Sequence, residues 1–222
     1  MAHIFSVGIH LPFDIIYLII SELGSDGDIG SLRACSLTCK AILPLACKHI
    51  FAKVHIDNTK EQEDYERPLA IRFKWLLESD PSIADYVRSF KYIEVFNHDH
   101  LRWPVFRTAT SLEFGFGDYD GYHGSNRQAW TNIAESLRTP FCNFASSNYI
   151  KELSLCNISF PVSLFHEMPH LTSLEISNLT FVDVANRRRL QKAKLTRLLI
   201  YKIRTQARDL KPLGGTFDLS QL

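Results

Sequence analysis

The first run of apolar positions in this chain has helical spacing on more than one side. Between Pro12 and Gly24, Phe13, Ile16 and Ile20 share one face, Ile15, Ile19 and Leu23 share its neighbour, and Leu18 points a third way. Pro12 suits a helix start, Asp14 in the first turn complements the helix dipole, and Gly24 is the expected stop. A surface helix of a self-contained domain needs one apolar stripe, whereas this one is apolar around most of its circumference. Two shorter helices are expected after it. Ser31 is placed to cap one that sets Leu32, Cys35 and Cys39 on a single face, and another starts near Pro44 and carries Ala46, Ile50 and Phe51. A unit of about forty residues is too small to hide so much apolar surface alone. The rest of the chain or a partner has to cover the excess.

A different pattern follows. After Val54-His55-Ile56-Asp57 comes a polar stretch, then Leu69, Phe73, Leu76 and Leu77 at helical spacing up to Asp80-Pro81, which reads as a helical linker over residues 58–86. From Val87 the template apolar-x-x-apolar-x-apolar recurs as Val87/Phe90/Tyr92, Ala109/Leu112/Phe114, Ile150/Leu153/Leu155, Leu171/Leu174/Ile176 and Leu195/Leu198/Ile200. Its middle positions are 22, 41, 21 and 24 residues apart (90, 112, 153, 174, 198). Periods of about 20–29 residues belong to leucine-rich repeats, each contributing one strand to a parallel sheet. The long step implies an insertion near residues 115–149 with its own helical set, Trp130, Ile133, Ala134 and Leu137. Thr216 and Leu219 suit the opening of a sixth unit.

The string Leu11-Pro12-Phe13-Asp14-Ile15-Ile16, with Ile19, Leu23, Leu32, the run Cys35-Ser36-Leu37-Thr38-Cys39-Lys40 and the ending His49-Ile50-Phe51, resembles an F-box, most closely those of mushroom-forming fungi. The departures are Ile42, where an aromatic is usual, and a long Gly-containing turn over residues 24–30. The resemblance implies a Skp-type adaptor as partner, a cullin behind it, and adaptor contacts at Leu11, Pro12, Ile15, Ile19, Leu32 and Cys39. It also implies that irregular repeats behind the F-box bind a protein substrate, with no catalysis by the chain itself. The expected fold is therefore α+β to α/β: a three-helix F-box over 1–57, the linker, and a short repeat solenoid with a parallel sheet over 87–222. In the usual repeat an Asn follows the second strand leucine by three residues. Asn157 and Asn178 come one residue early, which argues against an asparagine ladder here. The alternative is an interaction scaffold outside any ligase, with residues 11–51 as a helical cap on the repeats.

Composition adds limits. With 45% hydrophobic residues and a net charge of +1, the chain is globular and has no overall attraction for nucleic acid or an anionic membrane. The greasy stretch from Ile4 to Ile20 is broken by Pro12 and Asp14 and lacks a basic lead, so neither a signal peptide nor a membrane span is expected. Five cysteines, three of them crowded at Cys35, Cys39 and Cys47, read as reduced thiols of a cytoplasmic or nuclear protein. The sequons at Asn157 and Asn178 fall inside repeat motifs and read as chance matches.

Asp118-Tyr119-Asp120-Gly121 resembles the start of a calcium loop, but its twelfth position is Ala129 where a bidentate Glu is needed. Gly115-Phe116-Gly117 lacks the third glycine of a nucleotide fingerprint. His98-Asp99-His100 has no cysteine partner nearby and reads as a solvent loop. No metal or cofactor is expected. The basic tract Arg187-Arg188-Arg189, Lys192, Lys194, Arg197, Lys202, Arg204 and Arg208 could hold nucleic acid or an acidic partner. Its bases interleave with Leu195, Leu198 and Ile200, which favours the solvated side of the last repeat.

Overall fold

The computed structural model describes residues 11–59, 69–94, 106–117, 128–147, 149–182, 193–201, 217–218 and 220. The chain divides into two compact units, Met1–Ala52 and Lys53–Leu222. The boundary expected at residue 57 moves back, because Lys53–Asp57 is a strand of the second unit's sheet.

In the first unit, α1 (Phe13–Asp26), α2 (Ile29–Ser36) and α3 (Leu43–Ile50) pack pairwise on one another. Pro12 opens α1, its carbonyl accepting from the Ile15 and Ile16 amides at 3.1 and 3.2 Å. The helix runs past Gly24 and stops at Gly27, whose φ of 71° favours glycine. Gly24 serves packing instead. A Cβ there would lie 2.1 Å from Nδ1 of His49, so a bare backbone lets α1 and α3 approach. The expected long turn shrinks to Gly27 and Asp28, and Asp28 replaces Ser31 as the cap of α2. Its Oδ1 accepts from the Ser31 amide at 3.0 Å. Hydrogen bonding to Ser31, side chain first and then amide, holds the Asp28 carboxyl below the usual carboxylate range. Ile20, Leu32 and Ala46 are the buried residues of the three helices.

The second unit is framed by an all-parallel six-stranded sheet. Its spatial order is β1 (Lys53–Asp57), β2 (Ser89–Glu94), β3 (Ser111–Phe116), β5 (Glu152–Cys156), β7 (Ser173–Ser177) and β10 (Arg197–Tyr201). All five expected repeat strands pair at one phase. Phe90, Leu112, Leu153, Leu174 and Leu198 form one row, and Tyr92, Phe114, Leu155, Ile176 and Ile200 the next. Strand β1 adds Val54 and Ile56 to the same two rows.

Parallel neighbours require crossovers. The crossover from β1 to β2 carries α4 (Leu69–Ser79) and a 3-10 turn, Pro81–Asp85; that from β3 to β5 carries a second 3-10 turn, Trp130–Asn132, and α5 (Glu135–Ala145); that from β5 to β7 carries a third, Val162–Glu167. Behind the main sheet's strands in sequence come β4 (Gln128–Ala129), β6 (Ile158–Pro161) and β8 (Thr180–Val182), which form a second parallel sheet. A short parallel pair joins β9 (Ala193–Lys194) to β11 (Phe217–Asp218).

One aromatic-rich core unites these pieces. Phe73 of α4 stacks on Phe90 at 6.4 Å, so the segment expected as a linker is part of this unit's packing. Phe114 meets Phe141 of α5 at 5.0 Å, Trp130 meets Phe160 at 5.1 Å, and Phe165 meets both Phe160 and Phe217 at 5.0 Å. The insertion thus contributes Trp130, Ile133 and Leu137 to the interior. Asp118–Asp120, His98–His100, Thr216, Leu219 and most of the basic tract lie outside the described residues.

Candidate functional site

Two surfaces stand out, one in each unit. The first is the outer side of α1. Ile16, Ile20 and Leu23 are its less exposed apolar residues, while Leu11, Ile15, Leu18 and Ile19 form an exposed stripe at i, i+4, i+7 and i+8. Phe13 and Tyr17, a turn apart, are exposed on another side. Leu18 is 61% exposed, an unusual state for a leucine in a helix with so many apolar neighbours. Fully burying one such side chain is worth about 1.5–3 kcal/mol, so a partner closing over this stripe has a strong incentive.

The expected contact residues divide accordingly. Leu11, Pro12, Ile15 and Ile19 are exposed together at the start and along one side of α1. Cys39 is also exposed, in the turn after α2 rather than on that helix. Leu32 is 0% exposed and belongs to the interior, which corrects its expected place on the surface. Leu18, Leu37 and Leu43 are also exposed, outside the expected contact set. Leu18 was legible as a third apolar direction on α1; Leu37 and Leu43 carry no such signal.

The second surface is the face of the six-stranded sheet opposite its core rows. Because side chains alternate along a strand, it presents Ser111, Glu113, Glu152, Ser154, Cys156, Ser173, Glu175 and Ser177 from β3, β5 and β7, with the buried Gly115 between them. On β2 Lys91 reaches across to β3, with its Nζ 2.6 Å from Glu113 Oε1. On β1 His55 Nε2 lies 3.9 Å from Asp57 Oδ2. On β10 the same face carries Arg197, Leu199 and Tyr201.

A polar column runs along the ends of the strands. Two residues after the second apolar position of successive strands stand Asn58, Glu94, Phe116, Asn157 and Asn178. Asn178 Nδ2 donates to Asn157 Oδ1 at 2.8 Å, and Asn157 Nδ2 donates to the Phe116 carbonyl at 2.6 Å. An asparagine ladder therefore forms despite the early offset, because both residues turn left-handed, with φ of 53° and 50°. Asparagine tolerates that region better than most residues. The atom a glycan would join is thereby engaged at both sequons. Farther along, Asn58 Nδ2 donates to Glu94 Oε2 at 3.0 Å, and the Tyr92 hydroxyl donates to the same carboxylate. Glu94 is 1% exposed. Burial, and then the neighbouring Glu94 charge, pushes the Tyr92 hydroxyl well above the ordinary phenol range.

Other chemistry is sparse. All five cysteines are unbridged, and burial pushes the Cys142 thiol up to about 11, which makes it a poor nucleophile. Among the described residues no three His, Cys, Asp or Glu side chains converge as a metal site, and no helix is long and apolar enough to cross a membrane. No family model matches the chain, and neither does any curated protein or solved structure.

Proposed function

We propose that the chain is a substrate-recognition subunit of a Skp-cullin-F-box ubiquitin ligase. The first unit docks a Skp-type adaptor, and irregular leucine-rich repeats in the second hold a protein substrate. The observation that carries this reading is the coincidence of motif and exposure. Leu11, Pro12, Ile15 and Ile19, four of the six expected adaptor contacts, are among the apolar residues left open along α1, together with Phe13 and Leu18. A self-sufficient three-helix unit would bury them. The chain performs no chemistry of its own in this role. It raises the concentration of a substrate beside the ubiquitin-charged enzyme, a gain that comes from tethering alone.

Co-expression with a Skp-type adaptor tests the proposal. The unmodified chain should co-purify with the adaptor, and Leu11→Asp or Ile15→Asp should abolish the association while leaving the chain folded. Absence of co-purification by the unmodified chain would remove the ligase reading and leave an interaction scaffold.

A further inference from the structure

The two edges of the six-stranded sheet differ. Strand β1 carries Lys53, His55 and Asp57 on the open face, and charge along an edge discourages another strand from pairing with it. Strand β10, at the other edge, reads Arg197-Leu198-Leu199-Ile200-Tyr201, with a single charge and no proline. Among the described residues β10 pairs with β7 alone, and β11 pairs with β9 alone.

The ladder with β7 fixes which backbone groups of β10 face away from it. The Arg197 amide donates to the Thr172 carbonyl at 3.1 Å, and the Asn178 amide donates to the Tyr201 carbonyl at 3.3 Å. In a parallel ladder the N–H and C=O of one residue point to the same side, and those of the next residue point to the other. Arg197, Leu199 and Tyr201 therefore turn to β7, while Leu198 and Ile200 turn two N–H and two C=O groups outward. Their side chains extend the rows of Leu174 and Ile176, which are buried, yet are themselves only half-buried. A half-covered edge with four open backbone groups is a template for another strand.

The sequence of β10 matches itself there. Within its five residues, one antiparallel register with a second copy engages all four outward groups. Leu198 then stands opposite Ile200 of the copy, Ile200 opposite its Leu198, and the two Leu199 residues meet on the two-fold axis. Side chains agree with backbone in this register. Leu198 and Ile200 meet on the core side and cover each other's rows, while Arg197 lies across from Tyr201 on the open face, where a guanidinium on a phenol ring is favourable.

From this match we propose that β10 pairs antiparallel with β10 of a second copy of the chain, joining two six-stranded sheets about Leu199. The proposal goes beyond the ligase role and does not depend on it.

The test is the mass of the full chain by analytical ultracentrifugation over a concentration series, because pairing of one short strand is a small interface that dissociates on dilution. The unmodified chain should pass from monomer to dimer as concentration rises. Leu199→Glu sets two carboxylates against each other on the axis and should weaken dimerisation about tenfold. Its melting temperature, compared at concentrations where both chains are monomeric, should be unchanged, since Leu199 lies on the open face. Leu199→Lys should behave in the same way. An equimolar mixture of the Glu and Lys variants should restore a dimer containing one of each, which a contact elsewhere on the surface does not produce. A monomer at every concentration overturns the proposal, whether the edge stays open or is filled from within the chain. So does a dimer that both variants preserve, or a mixture no more associated than its components.

Discussion

The two units dispose of their apolar residues in opposite ways. In the second, the rows Phe90 to Leu198 and Tyr92 to Ile176 face inward, and rings from Phe73 to Phe217 pack on them. Its open sheet face is mostly serine and charge. In the first, Ile20, Leu32 and Ala46 are the buried helix residues among those described, while Leu11, Phe13, Ile15, Leu18 and Ile19 remain open. The contrast shows how a fold can be finished in one place and left for a partner in another. Burial satisfies the repeated sheet within its own unit, but three short helices lack the volume to do the same.

Substitutions can break this contrast, and the largest effect belongs to the sheet core. Phe114→Ala removes a fully buried ring that meets Tyr92, Phe116 and Phe141, and should cost about 3–5 kcal/mol in denaturant unfolding. Within the first unit, Leu32→Ala should cost about 2–5 kcal/mol, whereas Leu18→Ala should stay within about 0.5 kcal/mol. Similar losses at Leu18 and Leu32 would mean that the α1 stripe is interior packing after all. At the ladder, Asn157→Ala should cost about 2–3 kcal/mol, from lost hydrogen bonds and from an alanine held at positive φ. Asn157→Gly should recover about 1 kcal/mol of that by relieving the backbone.

A smaller effect lies in alkali. The Tyr92 hydroxyl has a raised pKa in the folded state, so the folded chain keeps a proton that the unfolded chain loses above about 10. Stability from this group is complete below that pH and falls as pH rises beyond it. The melting temperature of the unmodified chain should therefore drop more steeply between pH 9.5 and 11 than that of Tyr92→Phe, which has no such proton to lose. Parallel curves would show that the Tyr92–Glu94 pair is not held in the interior.

Much of the second unit is legible in the sequence because a strand's period is short and its apolar template recurs at a regular spacing. The register of β2, β3, β5, β7 and β10 follows from the spacing alone. Strand β1 is less legible: Phe51/Val54/Ile56 fits the same template, but it follows directly on the last F-box-like helix with no turn signal to separate them. The ladder is not legible, because the offset of Asn157 and Asn178 works only with the left-handed backbone at both residues. In the first unit, Gly24 and Ser31 looked like a helix stop and a cap, but contact with His49 and the nearer Asp28 carboxylate decide their roles. Leu32 shows the limit of pattern. On a helix of eight residues, spacing identifies a face but not whether that face turns inward.

The most direct measurement is hydrogen exchange of the full chain with and without a Skp-type adaptor. Docking through the first unit predicts new protection concentrated in residues 11–23, with exchange of the sheet strands unchanged. Absence of protection there, or protection confined to the strands 152–156 and 173–177, would contradict the assignment of α1 as the docking surface.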